Sequence, residues 1–360
     1  MCPANSRCAP SRGRAGRVLA LGRLQRHDTG VDFLNATRRQ HFVSCADLSR
    51  NALNPRASKK NQRIYSLVVE DREESRLRME HPRGVNIASA LSWLDLFSFD
   101  VLNRCVRANL EDAFRRYEEV LARQSGVLLG MVETAERDGI DTVLKSIFAT
   151  KLLDSLRNPF CVQKALFTIG VAADYEPRAP ELRAMYSRIR AGAKPHEAAI
   201  CARFGLEPQE YEAWLQGLFM VVAVEMPGEG PILDAALARL FGASAWGAGV
   251  YSYIGGPSEH VCLLPDRGFN TVQNDRSSLI MEFNVSSRVF VRFGFVSVSE
   301  TLPETVRRHG VAALVSGLDP QIRVIHKDLP ELILYNQRTV YQCREGVYSA
   351  SASPYGVHVS

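Results

Sequence analysis

Seven residues of this 360-residue chain carry side chains suited to one kind of chemistry. His41 can titrate near neutrality and serve as a general acid or base. Glu111, Glu118 and Asp266 are carboxylates able to act as bases or to bind Mg²⁺. Arg157 and Arg267 can hold a phosphate, and Asn336 joins them as a substrate-binding side chain. Together such groups would suit phosphoryl or phosphodiester hydrolysis, with a divalent metal such as Mg²⁺ as the candidate cofactor. Glu111 and Glu118 lie seven residues apart, two turns along one edge of an amphipathic helix.

Each residue also has a plain structural use. His41 could be a hydrogen-bonded strand histidine, and the glutamates solvated helix-edge charges or partners of Arg115 and Arg157. Asp266 would form a turn and Asn336 would cap a helix.

The elements that must position these side chains follow from periodicity. From Ala108 to Gln124, Leu110, Phe114, Tyr117 and Leu121 recur at the 3, 4 spacing of a helix with one buried stripe. A second helix, Ile140 to Leu156, is expected to stop at Arg157-Asn158-Pro159, because proline cannot continue the backbone ladder. Val261 to Leu264 reads as a strand ending in the turn Pro265-Asp266-Arg267-Gly268, and Leu279 to Phe283 and Arg288 to Phe293 read as central strands. Ile64 to Val69 is an earlier strand, and structure is expected to begin at Arg38 to Val43. A helix is predicted over Leu233 to Phe241, another over Thr301 to Ser316, and a closing one over Leu329 to Tyr348.

Composition narrows the class. With 46% hydrophobic and 23% charged residues the chain is ordinary globular material able to bury a sizeable core. Its net charge of +5 is local: the first 40 residues hold eight arginines against Asp28 and Asp32, a balance of +6, so the rest sums to −1. The basic balance is therefore poor evidence for nucleic acid or an anionic membrane. Residues 1–35 read as a disordered basic segment, or as upstream sequence from a mis-called start with the true one near Val31. Eight scattered cysteines show no Cys-x-x-Cys pair, which favours reduced thiols and a cytoplasmic setting. No apolar run approaches the roughly 18 residues that a membrane span needs, so no membrane partner is expected.

Residues 196–215 have the cadence of a helix-turn-helix, with Gly205 at the turn. The second helix carries Glu207, Glu210 and Glu212 and no basic residue, which argues against DNA binding. Gly255-Gly256-Pro257-Ser258 lacks the spacing and lysine of a nucleotide loop.

The order of motifs resembles the bacterial domain-of-unknown-function family 4238. Gln40-His41-Phe42-Val43 is similar to that family's opening His-Tyr/Phe-Val segment, and Arg157-Asn158-Pro159 to its Arg-Thr-Pro-like helix end. Pro265-Asp266-Arg267-Gly268 stands where Ser-Asp-Asn-Pro is expected, Phe283-Asn284-Val285-Ser286 where Pro-Leu-Ser is, and Asn336 with Tyr348 in the closing segment. Cys45-Ala46-Asp47-Leu48 replaces the family's usual aromatic and basic residues. The resemblance, over residues 38–350, implies that the candidate residues converge, but it brings no established activity.

The expectation is an α+β fold with a helical majority, an N-terminal strand pair and a C-terminal antiparallel sheet. Residues 36–350 would form one domain with a helical middle (100–245) and a β-rich part (246–350), and residues 351–360 a frayed tail. Two functions stay open: a phosphate-ester or nucleic-acid hydrolase, with a bacterial defence or toxin effector as one setting for it, and a non-catalytic ligand-sensing or protein-interaction domain.

Overall fold

The computed structural model describes residues 32–34, 36–102, 107–275, 277–296 and 320–360. Residues 1–31 of the basic segment and the helix expected over Thr301 to Ser316 lie outside the described residues. From Val31 onward the chain clusters as one unit.

The chain opens with β1 (Arg39–His41), α1 (Cys45–Arg50), β2 (Arg63–Asp71), β3 (Arg76–Met79), β4 (Val85–Asn86), β5 (Ser92–Leu94), β6 (Ser98–Val101) and β7 (Arg107–Asn109). The first strand pairs with β5, setting His41 opposite Ser92. Ser44 then starts α1 by accepting a hydrogen bond from the Asp47 amide, the usual repair for an open helix N-terminus.

The middle is helical: α2 (Glu111–Thr134), α3 (Ile140–Leu156), α4 (Val162–Ile169), α5 (Pro180–Ala191), α6 (Glu197–Phe204) and α7 (Pro208–Ala223). Leu110, Phe114, Tyr117 and Leu121 are all buried, so the α2 stripe faces the core as its spacing requires. Helix α3 is buried around most of its circumference. It ends before Pro159, where the Asn158 side chain accepts from the Phe160 amide and caps a short 3-10 turn. Between α6 and α7, Gly205 adopts φ +67°, a left-handed conformation that glycine tolerates best. Helix α7 buries Tyr211, Trp214 and Phe219, and Glu207 with Glu210 forms its capping box, so the acidic residues terminate a core helix.

After β8 (Glu225–Met226), β9 (Gly230–Pro231) and α8 (Ile232–Ala243) come β10 (Ala245–Ser252), β11 (Leu264–Pro265), β12 (Asn270–Asn274), β13 (Ser278–Ser286), β14 (Val289–Val296), β15 (Gln321–His326), α9 (Leu329–Gln342), β16 (Gly346–Ser349) and β17 (His358–Val359). One five-stranded sheet has the order β12-β13-β14-β10-β15. Phe148 of α3 packs on it, with ring centroids 5.6, 5.0 and 5.0 Å from Phe283, Phe293 and Phe295. That aromatic contact fixes one face of α3 and leaves another to meet α1 and α2.

The expected sheet arrangement is overturned. Among the described residues helix does exceed strand, 42% against 26%, but the strands form several sheets instead of an N-terminal pair and a single C-terminal sheet. The five-stranded sheet is mixed, since β15 runs parallel to β10. A six-stranded sheet interleaves both ends of the chain in the order β11-β16-β2-β3-β17, with β4 also on β2. Alternating apolar residues identify a strand but not its partner, and here the partner of β2 lies nearly three hundred residues along, in β16. Gly346 permits that pairing, because a Cβ there would meet the Leu67 carbonyl at 2.4 Å. The closing helix stops at Gln342, six residues before Tyr348, which lies in β16. The tail expected to fray instead adds β17, with the Ser360 amide donating to the Leu77 carbonyl at 2.9 Å.

Candidate active site

Three charged residues punctuate the apolar α3 segment at intervals of three: Lys151, Asp154 and Arg157, which share one side of a helix. All three are buried. Charges placed there need partners, because transfer of an unpaired ion from water is heavily penalised. The first partner comes from α1: Lys151 Nζ lies 2.7 Å from Asp47 Oδ1. Helix α1 is itself held on the large sheet by a reciprocal amide pair, Asn51 Nδ2 to Asn284 Oδ1 at 2.7 Å and Asn284 Nδ2 to Asn51 Oδ1 at 3.1 Å.

Arg157 is fully buried and gathers the rest. Its Nε donates to Asp154 Oδ1 at 3.0 Å, and its Nη2 lies 2.7 Å from the same oxygen. The same Nη2 donates to Glu118 Oε1 of α2 at 2.6 Å, and the guanidinium lies 5.0 Å above the Phe114 ring. Arg115, the other partner considered for the glutamates, pairs with Asp112 instead. Glu111, one edge position earlier on α2, feels both Arg157 and Glu118 electrostatically, and His41 does likewise from the end of β1. The floor is thus Asp47, Lys151, Asp154 and Arg157; the half-buried rim is His41, Cys45, Glu111 and Glu118.

The rim groups are pushed in opposite directions. Burial lowers the His41 pKa to about 4, opposed by the Glu118 charge and assisted by Arg157. Burial raises Glu111 to about 8, with Arg157 opposing and Glu118 adding repulsion. At neutral pH the imidazole is therefore neutral and the Glu111 carboxyl protonated, the states needed for a base and an acid. Cys45 is pushed up to about 11 by burial and by Glu118, so it is a thiol and a poor nucleophile. Burial also raises Asp154, held back by the Arg157 contact.

Six polar atoms of the cluster are shielded from solvent without a hydrogen-bond partner: His41 Nδ1, Glu111 Oε1, Asp154 Oδ2, Arg157 Nη1 and both carboxylate oxygens of Asp47, whose Oδ1 has the ion pair with Lys151 alone. Buried polar groups are nearly always satisfied, so such a concentration singles this cluster out as the candidate site.

Asp266, Arg267 and Asn336 have other engagements. The Asp266 carboxylate accepts the amides of Arg344, Glu345 and Gly346 at 2.8, 2.6 and 3.1 Å, clamping the entry to β16. Its carbonyl does reach the cluster's neighbour, accepting from Asn158 Nδ2 at 2.8 Å. Asn336 caps no helix: from within α9 it accepts from the Leu263 amide and donates to the carbonyls of Val261 and Tyr355. Arg267 donates to the Gln342 carbonyl at 3.1 Å and to the Cys161 sulfur at 3.5 Å.

Asp47, Lys151 and Asp154 were not among the residues expected from sequence. The only trace of Lys151 and Asp154 in the sequence is the 3, 3 spacing of charges in α3, which by itself does not say which way they face. For a divalent ion, no group of three His, Cys, Asp or Glu side chains able to hold one occurs among the described residues. Nor, among them, is any helix long and apolar enough to cross a membrane.

No family model, curated protein or solved structure matches this chain.

Proposed function

We propose that the protein is a hydrolase for a phosphate ester or phosphodiester, acting at the His41–Glu111–Arg157 cluster. One observation carries the reading: a base nitrogen, an acid oxygen and a guanidinium nitrogen, His41 Nδ1, Glu111 Oε1 and Arg157 Nη1, are all unpartnered, and the first two groups each feel the Arg157 charge. In this scheme Arg157 Nη1 holds a phosphoryl oxygen, as planar guanidinium groups do well. His41 Nδ1 takes a proton from water as its oxygen bonds to phosphorus. The bond to the leaving oxygen breaks, and Glu111 supplies that oxygen with a proton. Glu118 and Asp154 position Arg157 and do not touch substrate. Five described cysteines are free thiols, which fits a cytoplasmic setting.

The test uses the full chain with p-nitrophenyl phosphate, bis(p-nitrophenyl) phosphate and a short oligonucleotide as probes. Turnover that His41→Ala and Glu111→Gln each reduce by about a hundredfold or more supports the reading. Equal rates in wild type and variants on every probe contradict it.

The alternative, a protein-interaction domain, is favoured by one feature. Phe167, Val171 and Tyr175, four residues apart in sequence, are 92, 67 and 64% exposed, and exposed large apolar side chains are candidates for a contact site.

A further inference from the structure

Immediately after Arg157-Asn158, the chain turns so that Phe160 and Cys161 line a cavity of about 390 Å³, separate from the acid–base cluster. Its wall carries four cations, Arg72, Lys164, Arg267 and Arg344, and no carboxylate. Two of the four are committed. Arg72 donates to the carbonyls of Val340, Tyr341, Cys343 and Arg344 and so closes the C-terminal end of α9. Arg267 is braced by Gln342 and Cys161 through Nη1 and Nε.

The other two stand unneutralised. Among the described residues no hydrogen bond or ion pair engages the side chain of Lys164 or of Arg344, and both residues are exposed. On the side away from this cavity, Arg72 and Arg344 border an adjoining one lined by Glu70, Asp71, Glu73, Glu80 and Glu345, but no carboxylate lines the cavity that they share with Lys164 and Arg267. Asp266 is spent on three backbone amides, and Glu345 is held at 2.6 Å by both terminal nitrogens of Arg203. Positive charges gathered around one cavity repel, and the Lys164 pKa is lowered by partial burial and by Arg267. Arg72 and Arg267 are held in place, Arg72 by four backbone carbonyls and Arg267 by the Gln342 carbonyl and the Cys161 sulfur.

We infer that this cavity is a binding site for a phosphate-class oxyanion, with braced Arg72 and Arg267 forming its fixed wall and Lys164 and Arg344 closing on the ligand. Concave, one-signed clusters concentrate counter-ions, and guanidinium forks suit tetrahedral oxyanions. This site needs none of the chemistry proposed for His41 and Glu111. It would equally serve a ligand-sensing protein.

Isothermal titration of the full chain with pyrophosphate, at ionic strength matched with chloride, tests it. Lys164→Gln with Arg344→Gln is expected to weaken Kd by about tenfold or more, since two charges at contact distance are removed. Both side chains are exposed and lack partners, so the double variant should melt with the wild type; Lys164→Arg with Arg344→Lys should retain binding. An unchanged Kd in the neutralised variant, as binding at Arg157 would give, overturns the inference, as does a wild type that binds no pyrophosphate.

Discussion

Glu118 Oε1 lies 2.6 Å from Arg157 Nη2, and the Arg157 side chain is wholly shielded from solvent while that of Glu118 is 30% exposed. This pair joins the two helices of the cluster: α2 brings the carboxylate from the rim, and α3 ends on the buried cation. The same guanidinium nitrogen also contacts Asp154, so one cation balances two carboxylates. Nη1 remains uncommitted, so Arg157 is the brace of the cluster and, in the proposed scheme, the group that holds the phosphoryl oxygen.

Removing the cation should therefore be severe. Arg157→Met is expected to destabilise the fold by about 3–5 kcal/mol, because Asp154 would be left buried and uncompensated. Urea denaturation reads this. A loss below about 1 kcal/mol would mean that water, and not Arg157, satisfies the cluster.

Glu111 should make stability fall with pH. Its folded pKa of about 8 exceeds the ordinary carboxylate value of 4.5, so the folded state binds more protons between those values. Its contribution is fully present below pH 4.5 and is lost as pH rises through 8. Glu111→Gln should be more stable than wild type at pH 8, by an amount on the order of a few kcal/mol, with little difference at pH 4.5. A constant difference across that range would contradict the burial of this carboxyl.

Asp266 should behave as a structural clamp. Asp266→Ala leaves the amides of Arg344, Glu345 and Gly346 without their acceptor and should cost about 2–4 kcal/mol. Catalysis at temperatures where the variant remains folded should be unchanged. A folded variant with no turnover would return Asp266 to the chemistry.

Cys45 should be a bystander. With its thiol pushed up to about 11, it should react slowly with disulfide reagents at pH 7, and Cys45→Ser should keep wild-type turnover. Rapid labelling of Cys45, located by peptide mapping, would contradict the assigned environment.

The sequence made the local part of this arrangement readable. The 3, 4 spacing of Leu110, Phe114, Tyr117 and Leu121 shows which edge of α2 is buried, hence that Glu111 and Glu118 share a side. Asn158-Pro159 shows where α3 must end, which sets the position of Arg157. What could not be read is pairing over distance. Asp266 meets its three amides 78 to 80 residues later, and β2 meets β16 across most of the chain. A strand pattern is the same whatever its partner, which is why one C-terminal sheet was expected where the ends interleave. Lys151 and Asp154 were hidden for another reason: charged residues in a helix usually face solvent, and only the three-dimensional packing of Phe148 on the sheet turns this stripe inward.

The most direct measurement is the pH dependence of kcat/KM for bis(p-nitrophenyl) phosphate with the full chain. Neutral His41 requires pH above about 4 and protonated Glu111 requires pH below about 8, so the active form exists between them. The expected result is a bell with limbs near those values, whose upper limb disappears in Glu111→Gln along with most of the rate. A profile that rises steadily through pH 9, or activity that survives both His41→Ala and Glu111→Gln, would contradict the acid–base assignment.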